Sequence, residues 1–266
     1  ASGAALFAAA TRWVRGTAAP VKQVQRVFVD LQDVTISGSN SGSHEGNSRI
    51  HLDLPHRMRW ELRKLKRTPL QGRRVKVLDG NEGWLYVPAQ GAGARGTWER
   101  LHGNQNNPGA IAQLKKDRDL FAALTRYLTL RGLSGPGVRF TNAGLQTFPK
   151  RHHLAGRWLK VRRVAADGKR MAFLFAWTAD AKGGRSVRQP HAVLVPGDKA
   201  QGRATEHILL TKWKSMAGRR VPQQVVRYTE QKPGVFRETL RARVMKLAIN
   251  PVLAPQLFKP LPPKAP

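Results

Sequence analysis

Apolar and polar residues alternate with a period of two over most of this chain, the signature of half-buried β-strands. Val24–Leu31 (VQRVFVDL), Ser48–Leu54 (SRIHLDL) and Arg57–Leu62 (RMRWEL) alternate in this way. In the third, Met58, Trp60 and Leu62 point inward and Arg57, Arg59 and Glu61 outward. Gly38–Asn47 between the first two reads as a flexible stretch. Arg74–Leu78 and Gly83–Val87 are joined by an Asp79-Gly80-Asn81 turn, as a hairpin requires, and Thr97–Leu101 is one more strand. After a loop or hairpin over 133–150, strands resume at His153–Val164, Arg170–Thr178, His191–Val195, Glu206–Lys214, Val221–Thr229 and Val235–Ile249. Met171, Phe173, Phe175 and Trp177 share one strand face. In the last strand the apolar phase slips from Leu240, Ala242 and Val244 to Met245, Leu247 and Ile249, which predicts a β-bulge.

The period becomes helical twice. Over residues 1–15, Leu6, Ala10, Trp13 and Val14 fall on one face and Gly16 ends the helix. Over about 108–131, Ile111, Leu114, Leu120, Phe121, Leu124, Tyr127 and Leu128 recur at helical spacing, with a break expected near Asp117–Asp119 and a stop at Gly132. The tail 256–266 is proline-rich and reads as extended. The sum is an α+β, mostly antiparallel β chain of about ten or eleven strands. A sheet of that size tends to curl, here into a half-open curved barrel with an N-terminal helix and a mid-chain helical lid. No linker or composition break divides the 266 residues, so a single domain over 1–266 is expected.

Charge changes the picture more than composition does. Lys and Arg total 47 against 16 Asp and Glu, a formal charge of +31. Such a surface attracts polyanions at long range without choosing among nucleic acid, anionic lipid and other envelope polymers. The chain has no cysteine, which excludes disulfides, thiolate metal sites and cysteine nucleophiles. No apolar run reaches a membrane-spanning length. The chain opens on Ala1 rather than Met, which suits a removed signal peptide.

Chemical motifs are sparse. Gly91-Ala-Gly-Ala-Arg-Gly96 has dinucleotide-loop spacing but precedes a strand, not a helix, and so reads as a surface loop. His152 and His153 are adjacent and would face opposite sides of a strand; His51 and His56 bracket Pro55. Neither pair has metal-ligand spacing, and no metal or cofactor is expected. The few acids, Asp30, Asp33, Asp53, Glu61, Asp79 and Glu99, sit among arginines and lysines and read as surface ion pairs, not as a catalytic pair. No catalytic residue is assigned. Basic residues alternate with apolar ones along strands, which puts them on an outer face; Arg57, Arg59, Arg73 and Arg74 are the expected contacts to an anionic partner.

Three segments together carry a family resemblance. They are Leu52-Asp-Leu-Pro-His-Arg-Met-Arg-Trp-Glu61, Val77-Leu-Asp-Gly-Asn-Glu-Gly-Trp-Leu-Tyr-Val-Pro88 and Leu247-Ala-Ile-Asn-Pro-Val-Leu-Ala-Pro-Gln-Leu-Phe-Lys-Pro260. In order and separation they resemble the LolA-like family of periplasmic lipoprotein carriers, as do the leading amphipathic helix and the helix after the Trp-Leu-Tyr strand. The resemblance covers the first half and the last twenty residues; 130–235 match only in strand character. The chain departs in being longer and in having Leu54 before the proline, where some members carry a basic residue. It has no amino-terminal cysteine, unlike the related lipid-anchored acceptors.

The resemblance implies an apolar concave face that holds acyl chains beneath helices that move aside, without covalent chemistry. An acyl chain contributes about 0.8 kcal/mol per buried CH₂, so about sixteen carbons supply on the order of 12 kcal/mol before ordering costs. Met58, Trp60, Leu62, Trp84, Tyr86, Phe173, Phe175 and Trp177 are the expected lining, and Leu6, Trp13, Leu120, Leu124 and Tyr127 the expected lid. The expected protein is a monomeric, non-enzymatic periplasmic carrier or sensor of lipoprotein or lipid acyl chains, passing cargo toward the outer membrane. Its basic exterior would meet anionic lipids or acidic partner proteins, not nucleic acid. The alternative is a polyanion-binding protein with a filled barrel core. A third reading, an enzyme on acidic polymers, lacks an acid/base pair.

Overall fold

A computed structural model describes residues 1–20, 23–39, 42–63, 74–87, 96–101, 109–179, 185–198 and 203–260. Helix α1 spans Gly3–Arg15 and α2 spans Ala110–Thr129. The strands are β1 Arg26–Ser39, β2 Gly42–Asp53, β3 Arg57–Arg63, β4 Arg74–Asp79, β5 Glu82–Val87, β6 Thr97–Arg100, β7 Arg139–Phe148, β8 Gly156–Val164, β9 Arg170–Ala179, β10 Arg185–Val195, β11 Glu206–Met216, β12 Arg219–Lys232 and β13 Val235–Ile249. They form one antiparallel sheet in the order β6-β5-β4-β3-β2-β1-β13-β12-β11-β10-β9-β8-β7, with β6 and β7 at its open ends. The expected class holds: mostly antiparallel β, with a leading helix and a mid-chain helix.

The sheet holds more strands than the ten or eleven expected, and two stretches not read as strand are strand. Thr35 pairs Glu45 and Ser39 pairs Gly42, so the Gly/Ser/Asn-rich segment extends β1 and β2 instead of breaking them. The 133–150 region supplies β7. Helix α2 runs unbroken through Asp117–Asp119. The β4–β5 hairpin turns as expected: Asp79 pairs Glu82, and Gly80 takes a φ of +63° that favours glycine. In β13, Val244 and Leu247 are buried while Met245 and Lys246 are exposed, so the burial phase slips where the sequence predicts.

The chain divides into two compact units. The first comprises Ala1–Val21 and Arg126–Arg241, the second Lys22–Thr125 and Ala242–Pro266.

In the first unit, α1 starts at Ser2, whose hydroxyl accepts from Ala5 N at 3.2 Å, and ends at Gly16 with φ +59°. Its apolar stripe, Leu6, Phe7, Ala10 and Val14, is buried. Phe7 stacks on Phe140 of β7 at 4.3 Å and tilts against Phe173 of β9 at 5.0 Å. Trp13 meets Trp213 of β11 edge-on at 5.1 Å. Gly3 lies so close to β7 that a Cβ there would sit 2.6 Å from the Thr141 backbone. The opposite sheet face is also apolar: Leu174, Ala192, Leu209 and Val226 pack beneath Leu154, which is 0% exposed in the turn before β8.

In the second unit, β3 pairs with β2 (Ile50 with Trp60, Leu52 with Met58) and with β4 (Met58 with Leu78, Trp60 with Lys76). Directly paired residues share a face. Val27, Val29, Ile50, Leu52, Met58, Trp60, Leu62 and Leu78 therefore form one buried apolar face. The other face is closed by the chain's end, where the 3₁₀ turn Pro255–Phe258 seats Phe258, 1% exposed, against β3 and β4.

Candidate functional site

The lining residues expected in the second unit divide between the two faces of the sheet. Met58, Trp60 and Leu62 lie on the face beneath α2, and Phe121 of α2 meets Trp60 edge-on at 5.0 Å. Trp84 and Tyr86 pair with Val77 and Val75, which pair with Arg59 and Glu61, so both lie on the opposite face. There Tyr86 packs on Trp98 at 5.4 Å. Phe173 and Phe175 belong to the first unit, each nearly fully buried, with Phe7 seated on Phe173. Trp177, also in that unit, pairs with Val187 and is half-buried.

The expected lid residues divide similarly. Leu6 and Trp13 lie on α1; Leu6 is buried and Trp13 is half-buried beneath the Arg220 guanidinium, 4.5 Å from its ring. On α2, Leu124 is buried and Leu120 half-buried in the second unit, while Tyr127 is buried in the first. Burial raises the Tyr127 phenol pKa and nearby Glu206 adds to it.

Helix α2 is held to its sheet face by a polar latch. Lys76 Nζ reaches Asp117 Oδ2 at 3.1 Å and lies 4.5 Å from the Trp60 ring centroid. Gln113 Nε2 donates to the other Asp117 oxygen at 2.9 Å, and Lys115 Nζ to Asn81 Oδ1 at 2.8 Å. Beneath the helix, Gly83 has no room for a Cβ, which would sit 2.6 Å from Ile111 and 2.8 Å from Leu114. The same sheet face carries two buried polar atoms, Trp60 Nε1 and Ser48 Oγ, with no hydrogen-bond partner among the described residues. A buried unpaired donor costs about 1–3 kcal/mol. Ser48 pairs with Leu62 and Ile50 with Trp60, so the two groups are diagonal neighbours.

The arginines expected to meet an anionic partner are largely committed within the fold. Arg59 does not face solvent: its side chain is 5% exposed, its Nε donates to Glu61 Oε1 at 2.8 Å and its Nη1 to the Leu257 carbonyl at 3.2 Å. The outward phase predicted from alternation is right, but the 3₁₀ turn covers it. Arg57 lies between Asp53 at 3.6 Å and Asp79 at 3.5 Å. Arg74 pairs with Leu62 on the face beneath α2. Arg73 lies outside the described residues, as do Gly91–Arg95 of the glycine loop, Lys64, Lys66, Arg67 and the tail from residue 261.

An imidazole–aromatic cluster on the Leu154 face leaves no trace in the sequence pattern. His152 and His153 do not lie on a strand; they precede β8 in a turn and their rings stack at 4.3 Å. His153 Nε2 and His207 Nδ1 share a hydrogen bond of 2.7 Å. Tyr228 stacks on His153 at 4.3 Å and Phe236 on His207 at 4.2 Å. Burial holds both imidazoles down to about 4, and neighbouring histidines add to it: His152 acts on His153, and His153 and His152 act on His207. His191, stacked on Trp158 at 3.6 Å, and His51 are likewise held at about 4, chiefly by burial. No group of three His, Cys, Asp or Glu side chains among the described residues is arranged to hold a metal ion.

These four histidines make the fold acid-sensitive. The unfolded chain takes up protons near 6.5, the folded one only near 4. Stability from the neutral rings is complete above about pH 6.5 and is lost as pH falls toward 4. The thermal midpoint at constant ionic strength is expected to fall across that window, with a shallower fall in His207→Phe. An unchanged midpoint from about pH 7 to 4.5 would contradict this.

No helix among the described residues is long and apolar enough to cross a membrane. No protein-family model matches the chain, and no curated protein matches it. Solved structures do. A LolA superfamily protein from Nitrosomonas europaea aligns over 95% of this chain and 96% of its own, with 7% identity and a TM-score of 0.43. A putative outer membrane lipoprotein-sorting protein domain from Vibrio parahaemolyticus aligns over 97% of each chain, with 10% identity and a TM-score of 0.45. A DUF1329 family protein from Desulfovibrio piger aligns over 97% of each, with 10% identity and a TM-score of 0.41.

Proposed function

We propose that this chain is a non-enzymatic carrier or sensor of acyl chains, working in the periplasm and passing lipoprotein or lipid cargo toward the outer membrane. The observation that carries the reading is the face beneath α2. It is a largely apolar sheet surface, covered by an amphipathic helix on a polar latch, with two unpartnered hydrogen-bond donors buried in it. An acyl chain attached through an ester or amide supplies what that face lacks. The hydrocarbon packs on Met58, Trp60 and Leu62, and the carbonyl oxygen accepts from Trp60 Nε1 or Ser48 Oγ. Leu120 and Leu124 close over it. The three sequence segments that resemble the LolA-like carriers support the same reading. In the first unit Phe7 of α1 already packs on Phe173, so cargo lies in the second unit.

Native purification, organic extraction and mass spectrometry are expected to show acyl lipid bound to the protein. Opening the latch should speed exchange. Asp117→Asn leaves Lys76 without its partner and is expected to raise amide exchange in α2 and to accelerate uptake of a fluorescent fatty acid about three- to tenfold. That is the range for losing about 1 kcal/mol of a part-buried ion pair. An extract without lipid, together with no uptake by either protein, would sink the carrier reading.

A further inference from the structure

The sheet face beneath α2 is not uniform along its strands. The register across β1, β2, β3 and β4 divides it into three rows. Val27, Leu52, Met58 and Leu78 make the first, Val29, Ile50, Trp60 and Lys76 the second, and Leu31, Ser48, Leu62 and Arg74 the third. Successive rows lie two residues apart, about 7 Å. The first row is wholly apolar, and its four side chains are 0% exposed. Leu78 there pairs with Gly83, against which Ile111 and Leu114 of α2 are packed. The polar groups of these twelve residues all lie in the other two rows: Trp60 Nε1 and Lys76 in the second, Ser48 Oγ and Arg74 in the third. The face therefore has an apolar end and a polar end.

The two cations at the polar end differ in what they hold. Lys76 Nζ is bound to Asp117 Oδ2 at 3.1 Å. Arg74 is half-buried and forms no ion pair among the described residues. The nearby acids of α2 are engaged elsewhere, Asp117 with Lys76 and Gln113, Asp119 with Arg118. Glu61 of β3 pairs with Val75 and so lies on the opposite face. A guanidinium fork matches the paired oxygens of a phosphate or carboxylate. A ligand that brings hydrocarbon at one end and an oxyanion at the other complements both ends of this face. In a zwitterionic headgroup the ammonium would bring a like charge to the same two cations.

We propose that the cargo is an acyl lipid with a net negative headgroup, held in one direction. The hydrocarbon lies over Leu52, Met58 and Leu78, the ester or amide meets Trp60 Nε1 and Ser48 Oγ, and the headgroup oxyanion meets Arg74 with Lys76 beside it. This rests on the acyl-carrier reading and adds to it the class and the direction of the cargo.

The test titrates lysophosphatidylglycerol and lysophosphatidylcholine of the same acyl chain calorimetrically, below the concentrations at which they form micelles. The wild type is expected to bind the anionic lipid about fivefold or more tightly than the zwitterionic one. Arg74→Gln should bring that ratio to within about twofold of one by weakening the anionic lipid alone, and Arg74→Lys should keep a preference. The control is Lys246→Gln, an equal charge change at an exposed position on the other face, over the Phe28 ring; it should leave the ratio unchanged. Inorganic phosphate, which has the charge without the chain, should bind more than about tenfold more weakly than the anionic lipid. Equal wild-type affinities for the two lipids, an unchanged ratio in Arg74→Gln, an equal loss in Lys246→Gln, or phosphate binding as tight as the lipid would overturn the anionic-cargo inference while leaving acyl binding in place. Binding of neither lipid would overturn the acyl-carrier reading itself. The wild-type ratio and Arg74→Lys carry the comparison should Arg74→Gln not fold.

Discussion

Glu61→Ala is expected to lower the stability of the second unit by about 3–5 kcal/mol, read as a shift of the urea midpoint of that unit. Glu61 is the acid for two guanidiniums, Arg59 at 2.8 Å and Arg63 at 3.3 Å. The Arg59 and Glu61 side chains are only 5% and 7% exposed, roofed by the turn that seats Phe258. Removing the carboxylate strands a charge in a place water does not reach. The Leu257 carbonyl, still bonded to Arg59 Nη1 at 3.2 Å, cannot neutralise it. Glu61→Gln should fall between, because an amide keeps one acceptor but no charge. The double replacement Arg59→Met, Glu61→Leu should recover most of the loss, since an apolar pair needs no counter-ion. A loss under about 1 kcal/mol for Glu61→Ala would mean that the 3₁₀ turn lifts easily and water enters.

Phe7→Ala tests whether α1 is a fixed part of the core or a loosely held cover. Phe7 is 3% exposed, stacked on Phe140 and tilted against Phe173. Emptying that position is expected to cost about 3–5 kcal/mol, by lost burial and by the cavity left among aromatic neighbours that cannot collapse onto it. Amide exchange in α1 should rise together with that of β7 and β9, because the ring links all three. A cost below about 1 kcal/mol, with exchange rising in α1 alone, would show the helix to be a flap. Contrast with α2 is part of the prediction: α2 is latched through Asp117, and its loosening changes exchange and uptake more than global stability.

How much of this was legible in the sequence follows from which contacts are local. The β4–β5 hairpin was, because the two-residue Gly80-Asn81 loop fixes its register within a few positions. The same loop puts Trp84 on the face of Val77. The face of Val77 relative to Trp60, however, depends on the β3–β4 register, which no turn motif in the sequence sets. Strand patterning alone therefore does not separate Trp84 and Tyr86 from the Met58 face. Alternation in β3 correctly put Arg59 outward; that outward is also buried depends on Phe258, near the far end of the chain, which no periodicity reports. Asp117 and Asp119 looked like a helix break because charge interrupts the apolar stripe, yet Asp117 serves Lys76 across the sheet. The Gly38–Asn47 stretch looked flexible because its side chains are small and polar. Its strand pairing is backbone hydrogen bonding, which side-chain patterning does not record. His153 and His207 meet only because β11 lies next to β10 and the turn before β8 folds onto that face.

Helix α1 belongs to a unit whose remaining chain begins at Arg126. A chain made or exported from its amino end therefore presents Leu6, Phe7 and Trp13 long before Phe140, Phe173 and Trp213 exist to receive them. Until then this apolar stripe lacks the sheet that buries it in the folded unit. Assembly of the first unit must wait for Arg126–Arg241, and contacts so distant in sequence slow folding.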